Sequence, residues 1–102
     1  ETFTCIYLIF TFHKILARRY KTKFGEIDII ATRGNSLVFI EVKARKGGDK
    51  EVLTNGQMKR ITNAAKQYLS KNTQYNLYNI RFDLIIFKSV LAFTHIKNSW
   101  SE

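Results

Sequence analysis

The stretch Gly25-Glu26-Ile27-Asp28-Ile29-Ile30-Ala31-Thr32-Arg33-Gly34-Asn35-Ser36-Leu37-Val38-Phe39-Ile40-Glu41-Val42-Lys43-Ala44-Arg45 decides how the rest of the chain is read. Two runs rich in Ile, Val and Phe flank Gly34-Asn35, a pair that tolerates the positive φ of a tight hairpin turn. A two-residue loop there pairs Arg33 with Ser36, Ile30 with Phe39, Asp28 with Glu41 and Glu26 with Lys43. Alternation along the strands then sends Glu26, Asp28, Glu41 and Lys43 to one face. It sends Ile27 and Ile29, with Val38, Ile40 and Val42, to the other. Like charges directly opposed on a sheet are destabilising. Asp28 facing Glu41 therefore calls for an offset: a raised pKa, a shared proton, the nearby Lys43 ammonium or a bound cation. Two carboxylates with an open mouth suit a hard divalent cation such as Mg²⁺ or Mn²⁺. The plainer alternative is a Glu26–Lys43 cross-strand ion pair with Asp28 on a solvated face.

Outward from the hairpin, the pattern predicts the order α-β-β-β-α-β-β, an α/β fold with one mixed sheet flanked by two helices. Glu1 to about Thr11 carries Phe3, Ile6, Tyr7 and Phe10 at helical spacing, and Lys14 to Tyr20 reads as a strand. Glu26 to Arg33 and Ser36 to Arg45 are the hairpin strands. Thr54-Asn55-Gly56-Gln57 has the spacing of a capping box and opens a helix that fades at Lys71-Asn72. Met58, Ile61, Ala65, Tyr68 and Leu69 form its apolar stripe. Asn79 to Lys88 reads as a buried strand and Leu91 to Ile96 as a shorter edge strand.

The 102 residues predict a single domain. With 45% hydrophobic and 25% charged residues, wholesale disorder is excluded. Seventeen Lys and Arg against eight Asp and Glu give a net charge of +9, which points to a polyanionic partner, nucleic acid foremost. The single cysteine, Cys5, excludes an intrachain disulfide and a multi-cysteine metal site, and fits a reducing cytoplasm. The apolar run Phe3 to Phe12 is too short to span a bilayer, so no membrane partner is expected. No phosphate-binding Gly-rich loop is present, which argues against an NTPase.

Asp28 followed thirteen residues later by Glu41-Val42-Lys43 is similar to the D…(D/E)-x-K signature of restriction-endonuclease-like nucleases. The wider text is more specific. Gly25 to Ala31, Val38 to Arg45, the helix ending Ala64-Ala65-x-x-Tyr68-Leu69, and Arg81-Phe82-Asp83 together resemble the YraN-like family, bacterial proteins placed with Holliday-junction-resolvase-like folds. The resemblance runs from about Lys14 to Ile96. It implies a restriction-endonuclease-like core and a Mg²⁺-dependent endonuclease acting on nucleic acid, DNA favoured and structured or branched. Asp28 and Glu41 would bind the metal with the main-chain carbonyl of Val42, and Glu1 and Glu26 are further candidate ligands. Lys43 would orient the attacking water. Resolvase-type cutting is compatible with a homodimer. The chain departs from the family at its start: Phe12 stands where Gly is usual, and Phe3-Thr4-Cys5 replaces a small, Ala-rich helix face. The first 13 residues are thus expected to form a diverged or truncated first helix.

Arg18, Arg19, Lys21, Arg45, Lys46, Lys59 and Arg60 flank the carboxylates and are candidate phosphate-binding residues. Tyr20, Tyr75 and Tyr78 could stack on bases, although aromatics more often join the core. His13 and His95 lack metal-ligand spacing and are read as non-catalytic; Asp83 is read as satisfying or ending a strand. Two other functions compete with the nuclease: an inactive nucleic-acid-binding domain of the same fold, and a non-enzymatic interaction module.

Overall fold

The computed structural model describes residues 2–44, 53–89 and 91–101. Its elements are α1 (Thr2–Phe10), β1 (Lys14–Lys21), β2 (Glu26–Arg33), β3 (Ser36–Ala44), α2 (Asn55–Lys71), a 3₁₀ turn (Thr73–Tyr75), β4 (Asn79–Ser89) and β5 (Ala92–Trp100). The strands form one sheet in the order β1-β2-β3-β4-β5, with β3 and β4 parallel and every other neighbour antiparallel. Parallel neighbours need a long crossover, and α2 is the helix within it. This is the α/β, restriction-endonuclease-like core expected of the chain, in the expected order. Among the described residues no helix is long and apolar enough to cross a membrane.

The β2–β3 hairpin closes through Gly34, at φ 58°, and keeps the predicted register from Arg33–Ser36 to Ile29–Ile40. Two apolar layers result. On one face Ile27, Ile30, Leu37, Phe39 and Phe82 pack against Ile61, Ala64, Ala65 and Tyr68 of α2. On the other, Ile29, Ala31, Val38, Ile40 and Ile85 pack against Cys5 and Leu8 of α1. Ile27 corrects the sequence reading: it joins Ile30 on the α2 face, not Ile29 on the α1 face. Strict alternation breaks at Asp28, where the β2–β3 ladder stops and the Asp28 carboxylate takes a β3 amide. Across from this point, Arg19 of β1 has a φ of 51° between Arg18, paired with Ile29, and Tyr20, paired with Ile27.

Helix α2 begins in the predicted capping box: the Gln57 amide donates to Thr54 Oγ1 (3.1 Å) and the Thr54 amide to Gln57 Oε1 (2.9 Å). Each bond satisfies an N–H that the first turn would otherwise leave open. Helix α1 ends in a Schellman arrangement, with His13 N bonded to Leu8 O (2.9 Å) and Phe12 N to Ile9 O (3.1 Å). That geometry places Phe12 at φ 67°, the left-handed cap position where glycine is favoured. The departure from glycine noted in the sequence thus falls on a residue whose backbone wants one.

Strand β5 is longer than predicted, running to Trp100 and not ending at Ile96. The extension follows from Trp100, whose ring stacks on Phe82 at 5.0 Å and whose Nε1–H donates to Thr62 Oγ1 at 3.1 Å. A register shift and the positive φ of Asn98 (51°) let the strand reach that contact.

Candidate active site

Strand β3 lies at the centre of the sheet, and its C-terminal half carries Glu41 and Lys43. Past Ile29–Ile40 the backbone pairing of β2 with β3 ends. The Val42 N–H donates to Asp28 Oδ2 at 2.8 Å, so a side chain closes the ladder in place of a carbonyl. This bond pins Asp28 beside Glu41, and the two carboxyl groups lie within hydrogen-bonding reach of each other. Lys43 Nζ is 3.4 Å from Glu41 Oε2.

Burial, the hydrogen bond with Asp28 and the Asp28 charge push the Glu41 carboxyl up to about 7, against the weaker downward pull of Lys43. Two opposed carboxylates need an offset, and a proton held by Glu41 is one. Glu41 Oε1 is also buried with no hydrogen-bond partner.

Glu26 and Glu41 open, with Gly25, Gln57, Arg60 and Ile61, onto a recess of about 120 Å³. Helix α2 borders it through Gln57, Arg60 and Ile61, with Arg60 packed beside Gly25. Among the described residues no three or more His, Cys, Asp or Glu side chains are placed to hold a metal together. Among the described residues the carboxylates brought together are the Asp28–Glu41 pair. That set fits Mg²⁺, which takes one or two carboxylates and keeps several waters. It does not fit the closed, N/S-rich coordination of structural zinc.

The other candidates divide. Arg60 lines the recess, and Lys21 is the register partner of Glu26. Arg18 and Arg19 are exposed on the edge strand β1. Lys59 lies on the opposite flank of α2, in a groove with Trp100. Glu1, Arg45 and Lys46 lie outside the described residues. Tyr20, Tyr75 and Tyr78 all pack against the α2-side core, with Tyr20 edge-on to Tyr68 at 5.2 Å.

Sequence reasoning missed a polar network on the α1 face. Asp83 is fully buried, and Arg81 grips it bidentately, Nε to Oδ1 at 2.9 Å and Nη2 to Oδ2 at 2.8 Å. Asn98 N donates to Oδ1 at 2.9 Å, and His95 Nε2 lies 2.7 Å from Oδ2. Burial alone would raise the Asp83 pKa, but these hydrogen bonds and the Arg81 charge hold it at about 2. Tyr7 Oη lies 2.7 Å from His95 Nδ1. A neutral imidazole with its proton on Nε2 satisfies both contacts, donating to Asp83 and accepting from Tyr7. His13, distant in sequence, lies 6.3 Å from His95 between ring centroids. The network ties α1 to β4 and β5. Its one sequence signal was Arg81-x-Asp83, two residues that share a strand face.

A mixed five-stranded sheet with one helix packed on each face makes this an α/β protein with a restriction-endonuclease-like fold. The family model described as "Uncharacterised protein family UPF0102" matches residues 1–87. A UPF0102 protein of Ehrlichia chaffeensis is 43% identical over 88 residues, spanning 86% of this chain and 72% of that protein. One from Ehrlichia ruminantium is 37% identical over 102 residues, covering 100% of this chain and 80% of its own length. One from Nitrobacter winogradskyi is 43% identical over 82 residues, 78% of this chain and 70% of that protein. The chain belongs to the UPF0102 family, the YraN-like proteins that its motifs resemble.

Proposed function

We propose that this chain is a metal-dependent endonuclease that hydrolyses phosphodiester bonds in nucleic acid, with structured or branched DNA as its preferred substrate. The observation that carries the reading is the Asp28–Glu41 pair at the fork of β2 and β3, with Lys43 Nζ 3.4 Å from Glu41. A divalent cation held there would supply a water of lowered pKa and neutralise charge developing at phosphorus. Asp28 and Glu41 would hold that cation, with the main-chain carbonyl of Val42 as a third donor. Glu41 would give up its proton to do so, and the cation's charge would offset the repulsion from Asp28 that otherwise favours the protonated acid. Lys43 orients the attacking water and offsets negative charge on the phosphoryl oxygens. Arg60 in the recess, and Lys21 across from Glu26 on β1, draw the polyanionic backbone in.

The test is a calorimetric titration of Mg²⁺ and of Mn²⁺ into the wild type, Asp28→Asn and Lys43→Ala, followed by end-labelled branched DNA, duplex DNA and RNA. Metal binding and cutting in the wild type, loss of both in Asp28→Asn, and loss of cutting alone in Lys43→Ala are expected. Metal binding unchanged in Asp28→Asn, or intact nucleic acid under every metal, overturns the reading.

A further inference from the structure

The hairpin joining β1 and β2 has only Lys23 and Phe24 in its loop. It is held at both ends: Thr22 N bonds Gly25 O at 2.8 Å, Gly25 N bonds Thr22 O at 3.3 Å, and Thr22 Oγ1 donates to Gly25 O at 2.9 Å. The Phe24 amide donates to Thr22 Oγ1 at 3.0 Å. The turn is therefore built firmly, and what it presents is an apolar ring: Phe24 is 39% exposed, with Lys23 Nζ 5.2 Å from its centroid. Burying a ring that size stabilises a fold, and this one is left part-exposed on a rigid mount.

Phe24 does not stand alone. With Lys23 it forms one wall of a groove of about 540 Å³, and Asn63, Gln67, Ser70 and Lys71 of α2 lie on the other. The groove and the carboxylate recess are separate hollows built on the same hairpin and the same helix. Gly25 follows Phe24 directly and lines the recess with Gln57 and Arg60. Gln57, Arg60, Asn63, Gln67, Ser70 and Lys71 recur at spacings of three and four with a single step of one, so one polar face of α2 serves both. That face is about 20 Å long at the α-helical rise, the length of roughly six stacked nucleotides of one strand. The groove combines amide and hydroxyl groups, ammonium groups and one aromatic face, with no carboxylate among its lining residues. Those are the elements of a single-strand track, where phosphates meet cations and a base stacks on a ring. Inside a blunt duplex each base is stacked between its neighbours, which leaves Phe24 no face to stack on except at the two ends.

We propose that this groove is a single-stranded polynucleotide subsite leading to the carboxylate pair, and that Phe24 stacks on an unpaired base at its entrance. The assignment deepens the nuclease reading and rests on it: the substrate class becomes nucleic acid with an unpaired segment beside the cut, such as a flap, a splayed fork or a junction arm. Phe24 is a positioning residue, because it touches the substrate away from the reacting phosphorus.

The test separates binding from cutting. Fluorescein-labelled oligo-dT, oligo-rU and a blunt DNA duplex are titrated with the wild type, Phe24→Ala and Phe24→Trp in EDTA, with anisotropy as the readout. Phe24→Ala should bind both single strands roughly five- to a hundredfold more weakly and the duplex as the wild type does. Phe24→Trp should restore the loss. In Lys71→Gln the slope of log affinity against log salt for a single strand should fall by about 0.7. Thermal melts confirm that the variants are folded. Wild-type single-strand affinity in Phe24→Ala, an equal loss on duplex and single strand, or no single-strand binding by the wild type overturns the proposal. Cutting of nucleic acid with metal while Phe24→Ala binds normally would remove the groove and keep the nuclease. Phe24-dependent binding without cutting under any metal would remove the nuclease and keep the groove.

Discussion

Replacing Glu41 with glutamine should stabilise this protein at alkaline pH and leave its stability near pH 4 unchanged. The carboxyl is pushed up to about 7 in the fold, from an ordinary 4.5, by burial and by Asp28. A group whose folded pKa exceeds its unfolded one binds its proton more tightly in the native state. Its favourable contribution is complete below about 4.5 and is lost as pH rises through about 7. Above that pH the wild type carries the whole cost of a second ionised carboxylate. The shift corresponds to about 3 kcal/mol at 1.36 kcal/mol per unit. Glutamine keeps the shape of the protonated acid and can donate to Asp28 at any pH. Urea unfolding followed through Trp100 fluorescence at pH 4, 6 and 8.5 measures the difference. The Glu41→Gln midpoint should match the wild type at pH 4 and exceed it at pH 8.5 by about 1–3 M, for an m of 1–3 kcal/mol/M. Saturating Mg²⁺ should narrow the gap at pH 8.5 by stabilising the wild type alone. A gap that is constant with pH, or a wild type more stable than the variant at pH 8.5, would refute the reasoning.

Two further predictions concern the rest of the fold. Asp83→Asn leaves Arg81 and His95 without their buried anion and should cost about 3–5 kcal/mol, read as a lowered urea midpoint at neutral pH. The Asp83 pKa is depressed to about 2 from 3.8, so the wild-type advantage stands above about pH 4 and fades as pH falls through 2. An Asp83→Asn midpoint equal to the wild type at pH 7 would show that the network is not structural. Phe12→Gly relieves a left-handed backbone that disfavours side chains by about 1–2 kcal/mol, against a glycine entropy cost of about 0.5–1 kcal/mol. A small rise in melting temperature is expected, and a fall would mean that the exposed Phe12 ring makes contacts that outweigh its backbone strain.

The carboxylate–lysine set is legible in the order of the residues because a hairpin is local. Gly34-Asn35 fixes the loop and the loop fixes the register as far as Ile29–Ile40; the expected Asp28–Glu41 and Glu26–Lys43 pairs lie beyond the end of that ladder, where the Val42–Asp28 bond keeps Asp28 beside Glu41 and Glu26 pairs with Lys21 of β1. The capping box of α2 is legible for the same reason, since its partners Thr54 and Gln57 lie within one helical turn. The misreadings have non-local causes. Ile27 changes face because the β2–β3 ladder yields to the Val42–Asp28 bond, which no alternation rule anticipates. Strand β5 runs past Ile96 because Trp100 finds Phe82 and Thr62 on other elements.

What the amino-acid order determined by itself was the succession of helices and strands, the basic charge and the approach of Asp28 to Glu41, each set by neighbours along the chain or across one short turn. Only the tertiary structure decided that Arg60 and Gln57 would close over Glu41, that Asp83, His95 and Tyr7 would meet beneath α1, and that Phe24 would face Lys71 across a groove. Those contacts join residues far apart along the chain. They exist because α2 and α1 bury their apolar faces on opposite sides of one sheet and carry their polar residues with them.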